Sequence, residues 1–88
     1  MTSHAAADQA QNLARLHGGL IVVCLQRFGA RGKDGIAEIT GLNGNQVARR
    51  LPELAKIGLV ELTGQVTKSK SGRAEREWRF VPVQRELI

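Results

Sequence analysis

The 88-residue chain carries 13 Lys and Arg against 8 Asp and Glu, a net charge of +5, and one cysteine. That length suits one small domain and is too short for two cores. The positive excess favours a polyanionic partner, nucleic acid or an anionic membrane surface, and does not choose between them. Crossing a bilayer takes roughly 20 apolar residues, and the longest apolar run, Leu20 to Leu25, is far shorter. No positive n-region precedes it, so the expected location is the cytoplasm. A lone Cys24 within the run rules out an internal disulfide and reads as a buried structural thiol.

Residues 1–11 are Ala-rich and polar, with Ser3 as a candidate cap, and read either as a frayed helix or as a flexible arm. From Asn12 to Phe28 the apolar residues Leu13, Leu16, Leu20, Val23 or Cys24, and Phe28 recur at three- and four-residue intervals, which puts them on one helix face. Gly18 and Gly19 together cost about 2 kcal/mol relative to alanines in a helix interior, so a break or a helix start is expected there. Gly29 reads as a C-terminal cap. Asp34 then reads as the N-cap of a short helix carrying Ile36, Ala37 and Ile39 and closed by Gly41.

Leu42 follows as a turn residue able to plug the space between helices. Asn43 restarts the chain as a helix with Gln46 three positions on, the spacing of a capping box. In this helix, 44–57, Val47, Leu51 and Leu54 share the inward face and Gly58 ends the run. Pro52 removes one backbone hydrogen bond from its interior, which predicts a bend or tighter winding and not a break. Leu59 to Gly64 reads as a strand, Thr67 to Gly72 as a polar turn, and Glu75 to Val81 as the returning strand of a hairpin. Trp78 and Phe80 point to one side of it, Glu77 and Arg79 to the other, with Trp78 closing the core. Pro82 stops the strand, leaving 83–88 as a tail and 12–82 as the folded domain.

Those segments in that order resemble a winged helix-turn-helix domain, similar to the DNA-binding core of MarR-like regulators and to small DNA-binding proteins of bacteriophages and prophages. The resemblance rests on Ile36-Ala37-Glu38-Ile39-Thr40-Gly41-Leu42, on Asn45-Gln46-Val47-Ala48-Arg49-Arg50-Leu51, on Leu54-Ala55-Lys56-Ile57-Gly58-Leu59-Val60, and on Gly64 to Phe80 as the wing. It implies an α+β fold of three helices packed on a C-terminal β-hairpin, and a double-stranded DNA partner. The implied role is a transcription regulator or a phage accessory factor. Two features depart from the pattern: Pro52 within the recognition helix, and the lack of long MarR-type dimerisation helices. A homodimer through Leu13 and Leu16 stays open.

With Val47, Leu51 and Leu54 inward, a step of about 100° per residue leaves Asn45, Arg49, Pro52, Glu53 and Lys56 outward and Gln46 and Arg50 at the flanks. Asn and Gln can bond adenine bidentately and Arg guanine, so Asn45, Gln46 and Arg49 are the candidate base readers. Candidate phosphate contacts are Arg31 and Lys33 before the second helix, Arg50 and Lys56 on the third, and Lys68, Lys70 and Arg73 in wing 65–73. Glu53 repels phosphate unless it pairs with Arg49 or Arg50.

Catalysis finds no support. Gly32-Lys33 is followed by Asp34 and lacks the upstream glycine of a phosphate-cradling loop. His4, His17 and Cys24 do not have zinc-site spacing, so no metal or cofactor is expected. With three aromatics, the chain also lacks the stacking platform usual for single-stranded RNA. The competing reading is a winged helix that docks protein without DNA, which bulky apolar side chains on the outer face of the third helix would favour.

Overall fold

A computed structural model describes residues 2–82, with side chains from residue 12 onward. The element order is α1 (Thr2–Phe28), α2 (Lys33–Thr40), α3 (Gly44–Lys56), β1 (Val60–Lys68) and β2 (Ala74–Phe80). The side chain of the expected Ser3 cap and the 83–88 tail lie outside what is described.

α1 runs unbroken through Gly18 and Gly19. Gly18 is buried against α3, where a Cβ would sit 3.3 Å from a Leu54 methyl, so its missing side chain lets the two helices close on each other. The side of α1 that packs is Ile21, Cys24 and Leu25, with Val22 half-buried beside them. Of the stripe Leu13, Leu16, Leu20, Val23 or Cys24, and Phe28, only Cys24 is buried, and the other members are exposed. This helix is apolar on two sides, and periodicity alone does not say which one meets the body.

α2 begins two residues earlier than an Asp34 cap requires. Gly32 is its N-cap and makes no side-chain hydrogen bond, while Asp34 sits in the first turn. The capping acceptor comes from the far end of the chain: the Asp34 amide donates to Oε1 of Glu75 on β2 at 3.2 Å. A Cβ at Gly32 would overlap that carboxylate, so glycine is what admits it. Gly41 ends the helix at φ 81°, its amide donating to Ala37 O at 2.9 Å. Leu42 then packs half-buried against the core, as its turn position predicts.

α3 opens on a full capping box. Asn43 Oδ1 accepts from the Gln46 amide at 2.8 Å, and Gln46 Oε1 accepts from the Asn43 amide at 2.9 Å. Val47, Leu51 and Leu54 are buried as the period requires and join Ile21, Ile36 and Val60 in the core. The helix continues through Pro52 without a break or a tighter turn. Ala48, whose carbonyl loses its amide partner to the proline, is exposed, so water can replace that bond.

The two strands pair antiparallel, and β1 runs past Gly64 to Lys68. Leu62 pairs with Trp78 and Val66 with Arg76, so residues 63–65 stand opposite Glu77 alone. This bulge is accommodated by Gly64 at φ 89° and held by Thr63, whose hydroxyl donates to Glu77 Oε1 at 2.9 Å. The turn is correspondingly later than Thr67, with Ser69 O accepting from the Gly72 amide and the Ser69 amide donating to Arg73 O. Arg31 forms an isolated β-bridge to the hairpin, its amide and carbonyl both 2.9 Å from their partners on Trp78. Trp78 and Phe80 lie half-buried against the core on the inner face of the hairpin. Three helices with a C-terminal hairpin in this arrangement form a winged helix. Among the described residues no helix is long and apolar enough to cross a membrane.

Candidate nucleic-acid interface

The outer face of α3 follows from its inner one. With Val47, Leu51 and Leu54 fixed in the core, Asn45, Ala48, Arg49, Pro52, Glu53 and Lys56 face solvent. Asn45, Arg49 and Lys56 have no hydrogen-bonding or ionic side-chain partner among the described residues. Gln46 differs. Its amide oxygen is held by the Asn43 amide in the capping box, and it is half-buried, so it lies at the edge of this face and contributes first to the start of the helix.

The acid on this face is neutralised locally. Arg50 Nη1 lies 3.0 Å from Glu53 Oε1, an i,i+3 pair that removes the repulsion Glu53 would exert and at the same time occupies Arg50. The remaining cations divide in the same way. Lys33 Nζ is 3.0 Å from Asp34 Oδ1 and 3.9 Å from Glu75 Oε2. The Arg31 guanidinium donates from Nη2 to Phe28 O at 3.2 Å, and its Nε is buried without a partner. Lys70 reaches across from the hairpin tip to Glu38 of α2 at 2.9 Å. Lys68 and Arg73 carry no acidic partner among the described residues.

The hairpin flanks α3. Ala48, Leu51 and Pro52 on the helix line one shallow cleft together with Lys33, Glu75, Arg76 and Trp78. Arg76 is exposed at the mouth of that cleft and has no acidic partner among the described residues. It was not among the candidates read from sequence. The available signal was strand alternation, since Arg76 shares the inner face with Trp78 and Phe80 and lies just beyond the core edge. A second cleft, between the wing tip and α2, is lined by Arg31, Gly35, Glu38, Lys68, Lys70 and Glu75. Glu38 and Lys70 bridge it.

Cys24 takes no part in this surface. It is buried in α1, and burial pushes its thiol up from the ordinary cysteine value, with the nearby Arg31 charge opposing that shift. No family model matches the chain, and no curated protein matches it.

Proposed function

We propose that the protein binds double-stranded DNA with sequence preference, presenting α3 to the major groove and the hairpin to the phosphate backbone. The observation that carries the reading is the outer face of α3: Asn45 and Arg49 stand exposed, with no side-chain partner among the described residues, on a helix whose opposite side is anchored in the core. Such side chains discriminate bases because each can make a two-bond contact that only one base edge satisfies, worth about 1–3 kcal/mol per correct pair. We assign base reading to Asn45 and Arg49. Gln46 has its oxygen committed to the cap and serves as a flank.

Lys56, Lys68, Arg73 and Arg76 supply charge, each phosphate contact adding about 0.9 to the slope of log affinity against log salt. Arg50, Lys33 and Lys70 reach phosphate only by leaving an acid already bound. The corresponding biological role is a transcription regulator or a phage or prophage accessory factor in the cytoplasm. The outer face of α3 carries no bulky apolar side chain before Ile57, which speaks against a protein groove as its partner.

Fluorescence anisotropy with a pool of random duplexes, followed by sequencing of the retained fraction, tests the proposal. The expected result is salt-dependent duplex binding with an enriched motif that Arg49→Ala erases. Equal affinity for single-stranded and duplex DNA, or enrichment unchanged by Arg49→Ala and Asn45→Ala together, overturns it.

A further inference from the structure

The side of α1 turned away from the body carries Leu13, Leu16, Leu20 and Val23, which are 53%, 58%, 38% and 45% exposed. Intervals of three, four and three residues are those of a coiled-coil seam, a stripe as wide as one facing helix. Beside this ridge lies an apolar groove lined by Gly19, Val22, Val23, Leu54, Ile57 and Leu59. Ile57, at its far wall, is 68% exposed. Val23 belongs to both ridge and groove.

A knob and a slot side by side on one face are complementary to the same face of a second molecule turned about a two-fold axis. Charge points to the same occupant. The segment from Leu16 to Gln26 contains no Asp, Glu, Lys or Arg, so this is where two copies of a +5 chain can approach without opposing like charges. The exposed apolar side chains amount to roughly 500 Å² per copy, at the upper end of what a monomer leaves bare. Doubled, they give about 1,000 Å², the size at which an interface becomes specific, before any polar rim is added.

We propose that the protein is a homodimer in which the leucine ridge of α1 from each copy seats in the groove between α1 and the end of α3 of the other. The pairing does not depend on DNA binding, since it uses neither Asn45, Arg49 nor the hairpin. Gly19 has open space around its Cα and, among the described residues, no contact that calls for glycine. On the groove wall it allows a partner helix a close approach.

Light scattering of the full chain in DNA-free buffer tests this. The expected mass is twice the 9.6 kDa of one chain at micromolar concentration, falling to the single-chain value in Leu16→Glu/Leu20→Glu. Both positions are exposed in the single chain, so the variant keeps its helical circular dichroism and Trp78 emission. Independently, Leu20→Cys treated with a short bismaleimide gives a covalent dimer, while the wild type, whose Cys24 is buried, gives none. A wild-type mass of one chain throughout, or association undiminished in the double variant, overturns the proposal. So does a monomer that co-sediments with phosphatidylglycerol vesicles through the same leucines, which would make the stripe a membrane face.

Discussion

Glu75, on the returning strand, accepts a hydrogen bond from the amide of Asp34 at the start of α2, 41 residues away in sequence, through the opening left by Gly32. The Glu75 carboxylate thus serves as cap and as hinge pin, since the same group draws Lys33 toward β2. Removing it leaves the Asp34 amide of α2 without an acceptor and takes away one of the ties between α2 and the hairpin.

Glu75→Ala is expected to lower stability by about 1–2 kcal/mol, the usual cost of a lost helix cap. Gly32→Ala expels the same carboxylate and is expected to cost a similar amount, because the backbone at Gly32, φ −82°, suits any residue. The double variant is expected to cost little more than either single one. Urea unfolding followed by Trp78 fluorescence measures all three, and additive losses would show that the two residues act separately.

Gly18 and Gly19 are expected to respond differently to alanine. Gly19→Ala, with nothing in its way, gains about 1 kcal/mol of helix propensity, whereas Gly18→Ala gains less or loses because the Leu54 methyl at 3.3 Å must yield. Thermal melts in the Leu16→Glu/Leu20→Glu background, where self-association does not contribute, are the check. Equal gains at both positions would remove the role given to Gly18 in helix packing.

Glu38→Gln frees Lys70 from its only acidic partner among the described residues. The free lysine is expected to strengthen binding to every duplex alike, by about 2–10-fold at low salt, and to steepen the salt slope by about 0.9. Lys70→Ala on its own is expected to change affinity little, since that charge is already neutralised. Anisotropy titrations at several salt concentrations separate the two variants.

In the folded chain the Cys24 thiol ionises only above the pH at which an exposed cysteine does, because burial disfavours the thiolate. Between the ordinary cysteine value and the raised one, the unfolded state releases a proton that the folded state keeps. The contribution to stability is therefore intact below that window and lost as pH rises through it. Reaction with an aromatic disulfide reagent at pH 8 is expected to be at least tenfold slower in the folded protein than in urea. A rate independent of urea would place the thiol at the surface.

What was legible from residues alone was whatever is settled within one or two helical turns. The capping box of Asn43 and Gln46, the inward row Val47, Leu51 and Leu54, and the stop at Gly41 are all local, and all stand as read. The packed side of α1 was not legible, because Leu13, Leu16 and Leu20 are as apolar as Ile21, Cys24 and Leu25, and only Gly18 marks which side meets Leu54. Nor was the cap of α2, which is supplied from β2, or the pairing of Arg31 with Trp78. Of the candidate interface, the exposure of Asn45 and Arg49 followed from periodicity. Lys33 and Arg50 each have an acid within one turn, Asp34 and Glu53, whereas the approach of Glu75 to Lys33 and of Glu38 to Lys70 depends on which elements meet.

The extra residues at Gly64 split the hairpin into two lengths with separate duties. Val60 to Leu62 with Trp78 to Phe80 bring Val60, Trp78 and Phe80 to the hydrophobic interior, and Val66 to Lys68 with Ala74 to Arg76 reach toward α2 and the edge of α3. Since the Glu75 cap lies outside the turn, the tip from Ser69 to Arg73 can be shortened, extended or given new side chains while the inner length and that cap keep their seats. A protein built this way can acquire a different reach at its tip without relearning how to fold.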